Sequence, residues 1–153
     1  MPSHTLPVSF IRQRYDGDCL VACAAMVLDY IGIQVAYNRL GQLLKMKPGI
    51  GTPSSYIQEL THLGVNVLYE RGTLNRVQQH LEQGFPVIAF VQTGELPYWR
   101  VNTPHAVVIV GLDETQVYLN DPAFNKAPVM VSRGDFDLAW LERDEFYAVI
   151  SPV

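Results

Sequence analysis

The chain has 153 residues, of which 48% are hydrophobic and 17% are charged, a composition typical of a folded domain rather than a disordered chain. This length is sufficient for one domain with a sizeable core, and we expect that domain to span residues 1–153. A net charge of -4 and the lack of a basic stripe argue against a nucleic-acid partner.

Membrane-spanning and secreted proteins are also disfavoured. No stretch approaches the roughly 18 apolar residues that a membrane span requires, and the N-terminus lacks the charged start and apolar core of a secretory signal. The two cysteines, Cys19 and Cys23, have no further ligands at zinc-binding spacing, and a disulfide within one helical turn is geometrically awkward. We therefore expect a cytoplasmic location, reduced thiols and no cofactor.

The predicted elements begin with an extended arm over residues 1–12, docked on the core by its apolar side chains. A polar turn then leads into an apolar helix that begins at Cys19 and ends at about Ile31. Asp18 precedes this helix and is predicted to be its N-cap, because a carboxylate accepts the free N–H groups of a first turn. The Cys19 thiol lies at the positive end of the helix dipole, which favours the nucleophilic thiolate.

Helices and strands then follow in a mixed order. Capping residues and periodicity predict further helices at 35–44, 52–63, 73–83 and 136–142. Apolar or alternating runs predict strands at 65–69, 86–91, 106–112, 116–120, 127–131 and 145–150. Helices come first and mostly antiparallel strands come later, which predicts an α+β fold.

Two polar residues near the predicted central strands are candidate catalytic partners of the Cys19 thiol. His105 stands at the start of the apolar run that reads as a buried strand, and Asp121 ends the next strand-like segment. A nucleophile, a base and an acidic residue in this chain order are typical of cysteine hydrolases. The structural alternative is that Cys19 is a small core residue, His105 a structural histidine and Asp121 the start of a turn.

These residues resemble the pattern of the cysteine peptidases that remove double-glycine leaders from bacteriocins, a family of the papain-like clan. That pattern is a Gln, a spacer, Asp-Cys-Gly with a small or Cys residue further on, and later a His before a Val/Ile-rich strand and an Asp-Pro. The matching positions in this chain are Gln13, Asp18, Cys19, Cys23, His105 and Asp121-Pro122. The chain departs from the pattern at Leu20, where the family usually has Gly. The resemblance implies a papain-like fold and a peptide or protein substrate.

The resemblance also implies roles for the matching residues. Cys19 and His105 would form a thiolate–imidazolium pair, and Asp121 would orient the imidazole through its other ring nitrogen. The Gln13 side-chain amide and the Cys19 backbone N–H would stabilise the oxyanion. Gln13 as a solvent-facing polar residue is the alternative for that position. Cys23 is predicted to be helix core rather than a second nucleophile.

The leading functional prediction is a free-standing cysteine peptidase. No phosphate-binding loop of the Gly-rich, Lys-containing type occurs in the chain, so any transporter partner is expected to be a separate protein. A non-catalytic peptide-binding module of the same fold is one alternative, and a related acyl transferase or deamidase is another. The aromatic pair Tyr98-Trp99, which precedes His105, fits either a substrate-gripping loop or packing. The sequence makes no prediction of oligomeric state.

Overall fold

A computed structural model describes residues 5–153 of the chain and has an antiparallel sheet as its centre. Within those residues the α-helices are α1 Cys19–Tyr30, α2 Tyr37–Leu43, α3 Leu74–Glu82 and α4 Arg133–Leu141. The strands are β1 Val65–Arg71, β2 Val87–Gln92, β3 Pro104–Leu112, β4 Gln116–Asn120, β5 Val129–Ser132 and β6 Phe146–Pro152. The strands lie in the order β1-β6-β2-β3-β4-β5, which confirms the predicted α+β class.

The sheet is buried on both faces, which explains the continuous apolar run of β3. Val108 and Val110 face a core shared with α1, whereas Val107 and Ile109 face a second core shared with α3 and α4. Side chains alternate between the two faces of a strand, so a strand covered on both sides needs apolar residues at every position. β2 follows the same rule, and residues 87–91 are all buried.

The first helix, α1, is apolar all round because it is enclosed. It packs against β3 and α2, and most of its 12 residues are buried. A helix without a polar face needs such an environment. The side chains of Leu20, Met26 and Leu28 are at most 2% exposed, so the core encloses α1 along most of its length.

The N-terminal arm lies along the sheet, as predicted for the part of it that the structure describes; residues 1–4 lie outside the described range. Leu6 N–H donates to the Val110 carbonyl at 2.7 Å. Val8, Phe10 and Ile11 pack against the core shared with α1. The arm therefore carries residue 13 across the sheet to the start of α1.

Several element boundaries differ from the prediction. The segment Ser54–Leu63 is a 3₁₀ helix. Its apolar residues Ile57, Leu60 and Leu63 recur every three positions, which aligns them on one face only in a three-residue turn. The last helix begins at Arg133 rather than at 136, because the Ser132 hydroxyl accepts the Asp135 N–H and caps it.

The remaining boundary shifts are small. α2 is shorter than the predicted 35–44, and β5 begins two residues after the predicted 127. Gly64 ends its helix in the left-handed conformation that only glycine adopts readily, with φ of 80°. In the described part of the chain, 5–153, no helix has the length and apolarity needed to cross a bilayer.

Candidate active site

Cys19 is the first residue of α1, and the turn before it is held by Asp18. The Asp18 side chain is completely buried. Its carboxylate accepts the backbone N–H groups of Arg14 and Tyr15, each at 3.1 Å, and the hydroxyl of Tyr37 at 2.7 Å. Asp18 therefore fixes the turn that connects residue 13 to the candidate nucleophile.

The prediction that the Asp18 carboxylate caps α1 is wrong. The residue occupies the N-cap position, but its side chain makes no capping hydrogen bond. N-cap residues that bond the first helical turn normally have extended backbone angles. Asp18 has φ of -104° and ψ of 25°, so its carboxylate points back into the preceding turn instead.

A glycine contact lies beside this turn. Gly17 has φ of 89°, and a Cβ atom at this position would lie only 2.9 Å from the backbone nitrogen of Gly51. The Gly49 N–H also donates to the Asp16 carbonyl at 3.3 Å. Any side chain at Gly17 would separate these backbones, so glycine there keeps the 47–51 loop against the nucleophile turn as one wall of a cleft.

His105 and Asp121 form a buried pair on the sheet side of the cleft. His105 is the second residue of β3, and Asp121 directly follows β4, its hydrogen-bonded neighbour. The His105 Nε2 and Asp121 Oδ1 atoms are 2.7 Å apart. Because Nε2 is engaged by the carboxylate, Nδ1 is the ring nitrogen that remains for Cys19, which lines the same cleft.

The protonation of His105 follows from these partners. Burial by itself lowers the pKa of His105, but the hydrogen bond to Asp121 and the interaction with Cys19 outweigh it and raise the pKa from 6.5 to about 9. Burial likewise opposes ionisation of Asp121, yet the hydrogen bond and charge of His105 hold the pKa of that carboxyl below its usual range. The pair is therefore an imidazolium–carboxylate pair at neutral pH.

Asp121 accepts three further hydrogen bonds. The Tyr98 hydroxyl donates to its Oδ2 at 2.7 Å and the Trp99 indole N–H at 2.9 Å, while the Ala123 N–H donates to Oδ1 at 3.0 Å. The Trp99 ring also packs edge-on against the His105 ring, with centroids 4.7 Å apart. Four donors thus fix one buried carboxylate, and one of the donors also shields the imidazole.

The hydrogen bonds from Tyr98 and Trp99 to Asp121 form an aromatic clasp on that carboxylate. The sequence did not predict this clasp, because it was compatible with either packing or substrate contact for the two residues. A signal was present. Buried Tyr and Trp side chains usually need a hydrogen-bond acceptor, and the connection they occupy ends at His105. Burial and the hydrogen bond to Asp121 both raise the pKa of Tyr98, so its hydroxyl stays protonated and remains a donor.

Gln13 lies in the same cleft as Cys19 and His105. Its backbone N–H donates to the Pro122 carbonyl at 2.9 Å, which ties it to the loop that carries Asp121. Its side-chain Nε2 donates to the Tyr15 carbonyl at 3.0 Å. An amide nitrogen carries two N–H groups, so a second donor remains for a ligand. Its Oε1 is buried and has no hydrogen-bond partner.

The other two residues of interest on α1 lie in the core. Cys23 is completely buried, and burial, followed by the nearby Cys19 and Asp121, raises the pKa of the Cys23 thiol. A buried neutral thiol is a poor nucleophile. Leu20, at the position where the resembled family usually has Gly, is 2% exposed and lines the cleft.

The cleft between the two walls has a volume of about 420 Å³. The start of α1 and the 47–51 loop lie on one side, and the sheet with its His–Asp pair lies on the other. A cysteine at a helix start facing a histidine and an acidic residue on an antiparallel sheet is the arrangement of a papain-like cysteine peptidase fold.

Comparison with known proteins agrees with this class. The sequence profile of the peptidase C39-like family matches residues 5–146, and the chain belongs to that family. This confirms both the resemblance and the papain-like fold predicted from the sequence. A curated relative, the uncharacterized protein YvpB of Bacillus subtilis strain 168, is 27% identical over 177 residues, covering 90% of this chain and 70% of that protein.

Solved structures share the fold at low identity. A double-glycine-motif protease from an AMS/PCAT transporter, solved with its leader peptide, has a TM-score of 0.77 at 20% identity, covering 97% of this chain and 94% of the other. The peptidase domain of Streptococcus ComA, a bifunctional ABC transporter, has a TM-score of 0.76 at 19% identity, covering 95% and 99%.

Proposed function

We propose that residues 1–153 form a single-domain, stand-alone cysteine peptidase that hydrolyses peptide or amide bonds. Cys19 is the nucleophile, His105 the acid–base group, Asp121 its orienting partner and Gln13 an oxyanion donor. The observation that carries the proposal is the buried hydrogen bond between His105 and Asp121 in the cleft that Cys19 also lines. Membership of the peptidase C39-like family supports the same reaction class.

The proposed reaction proceeds in two halves through a thioester. The Cys19 thiolate attacks the carbonyl carbon and forms a C–S bond, while negative charge moves to the carbonyl oxygen. The His105 imidazolium then gives its proton to the leaving amine as the C–N bond breaks. In the second half, neutral His105 removes a proton from water, which attacks the thioester and releases Cys19. Asp121 stays ionised throughout and stabilises the imidazolium.

The substrate proposed for this cleft is a peptide. One similar structure contains a protease from a transporter bound to a leader peptide, which supports a peptide as the ligand of this fold. We propose that any transporter acting with this chain is a separate protein. The cytoplasmic location expected from the sequence stays a prediction.

Alkylation of Cys19 as a function of pH tests the proposed function. The raised pKa of His105 keeps the ring charged up to about pH 9, so a partner cation faces Cys19 across the neutral range. We expect iodoacetamide to modify Cys19 rapidly at about pH 6, where an ordinary thiol with a pKa of about 8.5 is almost fully protonated. The measurement is the rate of Cys19 modification, followed by mass spectrometry. It is made in steps of about one pH unit, from about pH 5 to about pH 10.

The matched variant is His105→Ala. Loss of the imidazolium removes the partner cation, so the alkylation profile should move towards that of an ordinary thiol. Cys23 is an internal control because its buried thiol should remain unmodified in the folded protein. An ordinary profile in the parent that His105→Ala does not change would contradict the proposal and favour a peptide-binding module.

Gln13→Ala is the prediction for the oxyanion donor. We expect kcat to fall about 10²- to 10³-fold with a smaller change in KM, because the amide contacts the oxygen mainly in the transition state. Steady-state cleavage of a peptide substrate gives both constants. Gln34→Ala serves as the control, since Gln34 donates only to Asp29 in an exposed pair. Parent-like turnover of Gln13→Ala would remove Gln13 from the site.

A further inference from the structure

The catalytic cleft contains a cation that the proposed hydrolysis does not use. Arg143 lies between α4 and β6 and lines the cleft together with Cys19 and His105. Its half-buried side chain donates from Nη1 to the Val91 carbonyl at 3.4 Å. Among residues 5–153, no carboxylate forms an ion pair with this guanidinium.

The strand pairing explains how Arg143 reaches the cleft. Val91 on β2 is paired with His105 on β3. On its other side β2 pairs with β6 only at Ile88 and Ala89, so the Val91 carbonyl lies beyond the end of that pairing. The guanidinium that binds this carbonyl therefore lies one strand away from His105, at the end of the sheet that faces the cleft.

The backbone that carries Arg143 is fixed by an unusual turn. The next two residues, Asp144 and Glu145, both have φ of 60°, a left-handed conformation that residues other than glycine rarely adopt. The N–H groups of Arg143 and Glu145 both donate to the Trp140 carbonyl at 3.0 Å. Strained conformations of this kind persist where surrounding contacts fix them, and they are concentrated at functional sites.

The chemistry of the Arg143 guanidinium indicates the class of ligand that it binds. A guanidinium has five N–H donors in a planar fork that matches a carboxylate, and the Val91 carbonyl uses only one of them. We propose that Arg143 is a carboxylate-binding subsite of the cleft, so that the substrate is a peptide with a carboxylate close to the reacting carbonyl. This inference rests on the proposed peptidase function and specifies its substrate class. An acidic side chain and a free C-terminus are the two sources of such a carboxylate.

Three bromoacetyl reagents of equal length test the subsite. Bromoacetyl-glutamine amide is neutral, bromoacetyl-glutamate α-amide carries a side-chain carboxylate, and bromoacetyl-glutamine carries a C-terminal carboxylate. In each case the Cys19 thiolate displaces bromide and forms a thioether. We expect one carboxylate reagent to label Cys19 about tenfold or more faster than the neutral one, and its identity distinguishes the two sources.

Arg143→Gln is expected to reduce this advantage by about tenfold, and Arg143→Lys to retain only part of it, because an ammonium lacks the fork. The matched control is Arg133→Gln. Its Nη1 also donates to one backbone carbonyl, that of Asp113 at 3.0 Å, but it lies outside the cleft. Thermal melting establishes whether each variant is folded. If Arg143→Gln does not fold, Arg143→Lys is the variant that tests the subsite.

The outcomes separate the two proposals. An equal advantage in the parent and in both Arg143 variants, or no advantage for either carboxylate in the parent, overturns the subsite and leaves the peptidase proposal intact. Failure of all three reagents to label Cys19 contradicts the proposed nucleophile, and the subsite inference falls with it. A carboxylate advantage that Arg143→Gln removes, in a protein that cleaves no peptide, contradicts only the peptidase proposal.

Discussion

Replacing Cys19 by alanine is expected to abolish peptide cleavage without disturbing the fold. The thiolate is the only group in the proposed mechanism that bonds to the carbonyl carbon, so no residual pathway through an acyl-enzyme remains. Alanine is the best helix former and the position begins α1, so the helix should persist. Product formation from a peptide substrate, together with the thermal unfolding midpoint, measures both parts of the prediction.

Cys23→Ala is the control for this experiment. Cys23 lies one helical turn further along α1 and is completely buried, so its replacement removes a sulfur atom from the core rather than from the cleft. We expect most of the activity to remain and stability to fall by about 1 kcal/mol, as for a small cavity. Activity that survives Cys19→Ala but is lost in Cys23→Ala would reverse the assignment of the nucleophile.

Asp121→Asn is expected to have the second-largest effect, lowering kcat by about 10³- to 10⁴-fold. The carboxylate accepts from His105, Tyr98, Trp99 and Ala123, so all four neighbours are donors. An asparagine amide presents N–H groups to at least one of them, which leaves buried donors facing each other and favours the wrong tautomer of the imidazole. Steady-state kinetics on the parent and the variant measure this loss.

The same substitution should alter how stability depends on pH. The lowered pKa of Asp121 gives stability that is present above the ordinary carboxyl value of 3.8 and is lost as the pH falls through the lowered value. The raised pKa of His105 gives stability that is fully present below 6.5 and is lost as the pH rises through about 9. We therefore expect denaturant unfolding of the parent and of Asp121→Asn to differ most between these limits, near pH 5 to 6.

Asp113→Asn is the matched control, because Asp113 also accepts a tyrosine hydroxyl, that of Tyr118 at 2.7 Å. Asp113 lies in the turn before β4, whereas Asp121 follows the other end of that strand. It should leave kcat unchanged. Tyr98→Phe offers a graded comparison, since it removes one of the four donors and keeps the ring. Equal kinetic losses in Asp113→Asn and Asp121→Asn would indicate a general effect on folding rather than an effect on the imidazole.

Local sequence patterns determined much of this protein by themselves. The apolar runs of α1, β2 and β3 are unambiguous because each is enclosed on all sides, and Gly64 and Thr73 end and begin helices through contacts within a few residues. The order of Cys19, His105 and Asp121 likewise indicated a cysteine-hydrolase arrangement. These features depend on neighbours in the chain, which a sequence displays directly.

Only the tertiary structure decided what the buried polar groups bind. Asp18 is bonded to Tyr37 rather than to its own helix, and Tyr98 and Trp99 are bonded to Asp121 more than 20 residues away. Several residues of a sequence are chemically able to pair with a given hydrogen-bonding side chain. Which of them it contacts depends on the segments that the sheet brings together. The position of Arg143 in the cleft has the same origin, because its guanidinium binds the Val91 carbonyl beyond the last residue pair of β2 and β6.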